Sequence, residues 1–202
     1  MDEARAVREY WFGARTLSPE ALEHRMDFWF GAHSSRHDEE IRTRFGELLE
    51  RAAAGKLAGW ADGPRRRLSL IILLDQFPRN VFRGTARAFA YDAQALALAL
   101  SGMQSAADGA LDFAERLFFY MPLQHAESRE AQDESVAAFR RLLAEVPPEL
   151  HATFAGALHF AEKHRSIIER FGRFPHRNAL LGRPSTPQEA QWLDEGAASF
   201  GQ

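Results

Sequence analysis

Apolar residues recur along this chain at helical spacing and nowhere alternate with period two, so the pattern predicts helix after helix and no strand. A first helix over Asp2 to Phe12 stops at Gly13. Ser18-Pro19-Glu20 joins an N-cap to a proline at the first helical position and opens a second helix, which carries Phe28-Trp29-Phe30 to Gly31. Asp38 is placed to cap a third, in which Ile41, Phe45, Leu48, Leu49 and Ala52 make one stripe. After a loop from Gly59 to Pro64, Arg65-Arg66-Arg67 opens a helix whose body, Leu68 to Leu74, is apolar all round and therefore belongs in the core. The basic triplet sits where the helix dipole disfavours cations, so its arginines are expected to reach acidic groups or water.

Asp92 reads as the cap of a helix reaching about Met103, and Leu111 to Tyr120 forms another before Pro122. A polar helix from about Glu127 to Glu145 turns Val136, Phe139, Leu142 and Leu143 inward. Pro147-Pro148 separates it from the longest helix, roughly Pro148 to Phe171. Thr186-Pro187-Gln188-Glu189 is a capping box at the head of a last helix holding Trp192 and Leu193. The expectation is an all-α chain of about nine helices in antiparallel pairs, a single domain over residues 1–202, with no 34-residue repeat visible in the sequence.

Composition narrows the function classes. The chain has no cysteine, which excludes disulfides, thiolate metal sites and thiol nucleophiles and makes the cytoplasm the default compartment. The start, Met1-Asp2-Glu3-Ala4-Arg5, is charged, and the longest apolar run, Leu70 to Leu74, falls far short of the ~20 residues that span a bilayer. Neither a secretory leader nor a membrane partner is expected. A net charge of −3 argues against a nucleic-acid partner. Only Lys56 and Lys163 are lysines among 25 basic side chains. The remainder are arginines, whose planar forks suit carboxylates and phosphates.

Two short stretches nearly repeat each other: Phe77-Pro78-Arg79-Asn80 followed by Arg83-Gly84, and Phe174-Pro175-His176-Arg177-Asn178 followed by Gly182-Arg183. Each follows a long helical pattern, and its proline is read as a helix stop that displays Arg and Asn from a corner. Asp75, at the carbonyl end of the core helix, needs a cation, and Arg79 and Arg83 are both placed to fold back to it. That pair makes either a purely structural corner or a carboxylate that orients a guanidinium toward a ligand, with Gln76 and Asn80 adding neutral hydrogen bonds. His164 lies at the margin of the buried arc formed by Leu150, Phe154, Ala157, Leu158, Ala161, Ile168 and Phe171, while His159 lies opposite. His125 and Glu127 follow Pro122, at what reads as a helix N-terminus open to an anion. No histidine pair has ligand spacing, so no metal and no cofactor is assigned.

Leu73-Leu74-Asp75-Gln76-Phe77-Pro78-Arg79-Asn80, Arg83-Gly84-Thr85-Ala86, Ala88-Phe89-Ala90-Tyr91-Asp92, Pro122-Leu123-Gln124-His125 and Arg170-Phe171-Gly172-Arg173-Phe174-Pro175-His176-Arg177-Asn178 resemble the bacterial family known as domain of unknown function 924. The resemblance covers nearly the whole chain. It implies a tetratricopeptide-like, right-handed array of helix pairs and no established activity. Ala126 departs from the pattern, since relatives often carry serine after the histidine.

The reading favoured by these residues is a pocket for a small phosphate- or carboxylate-bearing ligand where the two corners and the His125 loop converge. Asp75, Gln76, Arg79, Asn80, Arg83, His125, His164, Arg173, His176, Arg177 and Asn178 are its candidate ligand-binding residues. It fails if the corners are far apart. One alternative is an interaction scaffold holding an acidic peptide along a concave face. The other is a hydrolase or transferase with His125 or His164 as general base, drawing further acid–base groups from His176, Asp75 and Glu127.

Overall fold

The apolar stripe of residues 41–52 is buried residue for residue, with Ile41, Phe45, Leu48, Leu49 and Ala52 all facing the core. The computed structural model describes residues 2–13, 17–31 and 34–196, so Met1 of the charged start lies outside it. Every regular element among the described residues is helical. In chain order these are α1 (Glu3–Phe12), α2 (Pro19–Phe30), α3 (Asp38–Ala53), α4 (Pro64–Ile71), α5 (Phe77–Val81), α6 (Asp92–Gln104), α7 (Phe113–His125), α8 (Arg129–Glu145), α9 (His151–Phe171) and α10 (Pro187–Asp194). The π-helical turn Ile72–Gln76 joins α4 to α5 as one continuous rod, which leaves nine helical rods among the described residues. None of these helices is long and apolar enough to cross a membrane.

The rod of α4 and α5 runs through the centre of the molecule, and every residue from Leu68 to Pro78 is buried. Around it α6 packs on α7, α7 on α8, and α8 on α9. The two Trp-Phe-Gly segments end α1 and α2 in the same aromatic core. The Trp29 ring lies 4.5 Å from Phe118, the Trp11 ring 5.5 Å from it, and the Trp29 indole N–H donates to the Trp11 carbonyl at 3.0 Å. The Arg65–Arg67 triplet spreads out at the start of the rod. Arg67 donates to the Leu98 carbonyl at 2.9 Å and the Ser101 hydroxyl at 2.7 Å, while Arg65 lies 3.7 Å from Glu115.

Two prolines do not act as the sequence pattern suggests. Pro78 stops nothing: the rod continues past it to Val81. In a regular α-helix its ring would strike the carbonyl four residues back. The π turn immediately before it, closed by the Phe77 N–H on the Ile72 carbonyl, widens the backbone there. Pro122 likewise lies inside α7, which extends to His125 with residues 115–124 all buried. Packing on every side outweighs the roughly 3 kcal/mol that an interior proline costs. His125 is therefore at a helix C-terminus, not at an N-terminus. Asp38 and Asp92 make no capping bonds either, since His37 and Tyr91 precede their helices without side-chain caps. Their carboxylates are engaged across the fold instead.

The second corner does end a helix. Gly172, at φ +70, closes α9, and Phe174 leads into the 3-10 turn Pro175–Arg177. This last part of the chain has its own small apolar cluster of Ile167, Ile168 and Phe174, with Phe171 and Trp192 packed against it.

Gly102 is tightly packed against the rod and α7. A Cβ there would come within 2.5 Å of the Phe119 ring and 2.8 Å of the Arg67 side chain. Gly102→Ala is expected to lower stability by about 1–3 kcal/mol through overpacking, despite the better helix propensity of alanine. Urea denaturation checks this, and an unchanged or raised midpoint would contradict it.

Candidate functional site

Asp75 has no exposure at all, and it sits in the π turn of the most apolar segment of the chain. Because the whole rod is buried, any residue in that turn is inside, and a carboxylate there must be answered by hydrogen bonds and charge. Gln76 donates to its Oδ2, and His125 Nδ1 lies 2.7 Å from its Oδ1. Arg79, one turn on, places Nη1 3.4 Å from the same oxygen and 2.6 Å from the Asp75 carbonyl.

Arg79 also reaches outward. Its two terminal nitrogens grip Asp92 at 2.9 and 3.0 Å, and Asp92 Oδ2 takes a second guanidinium at 3.3 Å, that of Arg177. The two Phe-Pro corners therefore meet, across one carboxylate at the start of α6. From Arg177 the contacts close on themselves. Its guanidinium lies over the Phe174 ring at 4.5 Å and the Phe89 ring at 4.6 Å, Phe174 lies 5.6 Å from the His164 ring, and His164 lies 6.3 Å from the His125 ring. Asp75, Arg79, Asp92, Arg177, Phe174, His164 and His125 thus form a closed ring of contacts, with His176 beside it, its ring 5.5 Å from Phe174.

Several elements hold this ring. Gln132, fully buried on α8, donates its amide to the carbonyls of Leu123, Gln124 and Ala126 at 3.3, 2.8 and 2.8 Å. It thereby satisfies the free carbonyl end of α7 that carries His125. Ala126 is itself buried, so this chain presents no hydroxyl next to His125. Glu127 accepts the Phe174 N–H at 2.8 Å and both ends of the Arg183 fork at 2.7 and 2.9 Å, tying the second corner to α7.

The remaining candidates lie elsewhere. Arg83 does not fold back to Asp75; with Asn80 it holds Asp38, through contacts of 2.6, 3.0 and 2.8 Å. Arg173 grips Glu189 at 2.7 Å through two nitrogens. Asn178 bonds Ser185 at 3.1 Å and accepts from Arg183 at 3.1 Å. These four fasten each corner to its surroundings. Asp92, expected from the sequence only as a helix cap, is a member of the ring, and Phe89, outside the candidate set, packs against both of its arginines, 5.7 Å from Arg79 and 4.6 Å from Arg177. Among the described residues no group of three or more histidines and acids is placed to hold a metal ion. A separate cleft of about 660 Å³ between α1, α4 and α7 is lined by Arg5, Arg8 and Arg65 with Glu9, Asp112 and Glu115. Its charges are matched among themselves, Arg5 to Glu9 at 2.7 Å and Arg8 to Glu115 at 3.4 Å.

Electrostatics sort the roles of the ring groups. Burial pushes the Asp75 carboxyl up, but the charge that His125 carries once protonated at low pH and that of Arg79, with the hydrogen bonds from His125 and Gln76, outweigh it; near pH 7, with His125 neutral, Arg79 and those hydrogen bonds are what answer the ionised Asp75. His125 is lowered, first by burial and then by Arg79, against the pull of Asp75 and Asp92. It is neutral near pH 7, with Nδ1–H donating to Asp75 and Nε2 carrying the lone pair. Nε2 has no hydrogen-bond partner among the described residues, and the side chain keeps 13% exposure. Burial lowers His164 to about 3 and His176 to about 4, and Arg177 pushes both further down. Arg177 itself falls to about 10, through burial and then Arg79, and remains a cation. Its one hydrogen bond among the described residues uses Nη1, and Nε on the other edge is buried with no partner.

The model of the family described as bacterial protein of unknown function (DUF924) matches residues 7–197, and the chain belongs to that family. A solved structure, that of the protein of unknown function ATU0120 from Agrobacterium tumefaciens, is similar at 37% identity and a TM-score of 0.79. The alignment covers 96% of this chain and 97% of that one. No curated protein matches the chain.

Asp92→Asn leaves Arg79 and Arg177 sharing a neutral group, and its cost in urea denaturation is expected to be on the order of 3 kcal/mol. A loss below about 1 kcal/mol would show that the two arginines are held by other means. Stability is also expected to fall as pH drops below 6.5, the ordinary histidine value. The unfolded chain takes up protons on His164 and His176 there, while the folded chain does so only near 3 and 4. His164→Asn should make the slope shallower between pH 6.5 and about 5, above the range where carboxylates titrate. An unchanged slope would refute the assignment.

Proposed function

We propose that this family member binds a small anionic ligand, bearing a phosphate or a carboxylate, at the ring where its two Phe-Pro corners meet. One observation carries the reading. Arg177 is a buried cation whose Nε, on the edge that forms bidentate pairs, has no acceptor, while its other edge shares Asp92 with a second arginine. An unsatisfied buried donor costs about 1–3 kcal/mol, and on a charged group more, so it calls for an acceptor that arrives from outside. A carboxylate or phosphate fits the Nε and Nη2 fork of an arginine with two parallel hydrogen bonds. His125, a member of the same ring of contacts, has an Nε2 without a partner among the described residues, and the faces of Phe89 and Phe174 fix the plane of the Arg177 guanidinium. The ligand-contacting set narrows to Arg177, His125, His164 and His176. Asp75, Gln76, Arg79 and Asp92 position them. A cysteine-free protein with this ligand class suits the cytoplasm.

A second reading, hydrolysis or group transfer on that ligand with His125 as general base, is favoured by the Asp75–His125 contact of 2.7 Å. A carboxylate on Nδ1 fixes the tautomer with its lone pair on Nε2 and stabilises the imidazolium formed on proton transfer.

Thermal melts with sulfate, phosphate and dicarboxylates test the first reading, on wild type, Arg177→Gln and Arg173→Gln. At 100 times its dissociation constant a ligand adds about 2.7 kcal/mol, which for a chain of this size raises Tm by about 5–10 °C. Wild type and Arg173→Gln are expected to respond and Arg177→Gln to lose the response. Equal responses in all three proteins, or none in any, would overturn the reading.

A further inference from the structure

We propose that the anion brings a proton into the ring, taken up by His125 on Nε2, so that the ligand is held by an imidazolium as well as by Arg177 and binds more tightly as pH falls. The inference rests on the anion-binding reading above and concerns how that same site answers the charge of its ligand.

The argument begins with charge balance. Arg79 and Arg177 are matched by Asp75 and Asp92, and the three histidines are neutral. The ring is therefore compensated before any ligand arrives. An added anion leaves negative charge in excess in a buried setting, one unit for a monocarboxylate and two for sulfate, and uncompensated charge there is expensive, so each proton taken up lowers the cost. The lowest-cost remedy is a proton on a titratable group of the ring itself. Three histidines are at hand, and their surroundings rank them. His164 hydrogen-bonds the Phe160 carbonyl through Nδ1 at 2.8 Å, and His125, Arg177 and His176 all act against its charging. His176 has Arg177, Arg183 and His125 against its charging, with Glu127 in favour. His125 is the one in hydrogen-bond contact with the fully buried Asp75, which stabilises an imidazolium directly.

The groups facing His125 from each packed element are Asp75 and Gln76 in the π turn, Arg79 on α5, Asp92 at the start of α6, His164 on α9 and His176 on the 3-10 turn. Of these, burial and Arg79 are what keep His125 neutral in the free protein. A bound anion opposes both. It neutralises the nearby guanidinium field and supplies an acceptor for the new Nε2–H. A histidine brought back toward neutral pH in this way is poised to exchange a proton with its ligand, which is the condition acid–base catalysis requires.

Titration calorimetry with sulfate as the probe tests this, because sulfate does not itself titrate near neutrality and any proton taken up must settle on the protein. Runs at one pH in two buffers of different ionisation enthalpy count the protons, and a series across neutral pH gives the affinity slope. Uptake approaching one proton per sulfate is expected, with affinity rising by up to about tenfold for each unit fall in pH. His125→Asn is expected to bind sulfate without proton uptake and with a flat pH profile. Since that variant places an amide against Asp75 and its fold is open to change, 15N histidine spectra of the wild type provide a second readout. Sulfate should convert the His125 Nε2 signal from the lone-pair to the protonated form. Sulfate binding with no proton uptake overturns this inference and leaves anion binding standing. Uptake that persists in His125→Asn, or appears on another histidine in the spectra, overturns the assignment to His125. Sulfate that produces neither heat nor spectral change removes both readings together.

Discussion

A single carboxylate inside the most apolar segment of the chain sets the terms for the structure around it. Asp75 is fully buried, and a charge so placed is tolerated only if its surroundings supply hydrogen bonds and opposite charge in good geometry. His125 comes to it from the end of α7, Gln76 from the next position and Arg79 from the following turn. Because Arg79 is itself enclosed, it requires a second acid, and Asp92 is drawn from the start of α6. Asp92 then brings in Arg177, from the far end of the chain. Each buried charge thus recruits the next, and the chain of obligations ends at Arg177, whose remaining Nε is left unanswered.

The rigid parts of the fold make that sequence of contacts possible. The π turn absorbs Pro78 without ending the rod, so Arg79 leaves from a helix that is still anchored in the core. Pro122 sits within α7 without breaking it, and Gln132 closes the carbonyl end just beyond His125. The second corner hangs on less. It has a small apolar cluster of its own and is fastened by Arg183 to Glu127 and by Arg173 to Glu189. The motif residues that look alike in the two corners therefore divide their work. Arg79 and Arg177 turn inward to the ring. Asn80 and Arg83 in one corner, and Arg173 and Asn178 in the other, anchor the backbone that presents them.

Much of this was legible in the order of residues. Helical periodicity located the elements and, on α3, named each core position; the capping box at Thr186 and the glycine stop at Gly13 appear as expected. The Phe-Pro repetition pointed to both corners, and the arc on α9 marked His164 as the enclosed histidine. Local rules failed where tertiary packing overrode them. Proline propensity misplaced the ends of two helices because the surrounding core, not the local backbone, decides whether an interior proline is tolerated. Asp38 and Asp92 have the spacing of N-caps, yet a guanidinium that can grip both carboxylate oxygens is a stronger claimant than an exposed helix end.

By itself the sequence determined an all-helical chain, its apolar faces, a cysteine-free chemistry rich in arginine, and the residues from which a polar site would be drawn. These follow from short-range spacing, and a reader of the sequence has all the information needed for them. Only the tertiary structure decided which of those residues meet. Arg79 and Arg177 lie on opposite halves of the chain, and nothing in their spacing says that both end on Asp92. Pairing across such distances is settled by how helices pack in three dimensions and by the requirement that every buried charge find its opposite. That is a global condition, and no local pattern encodes it.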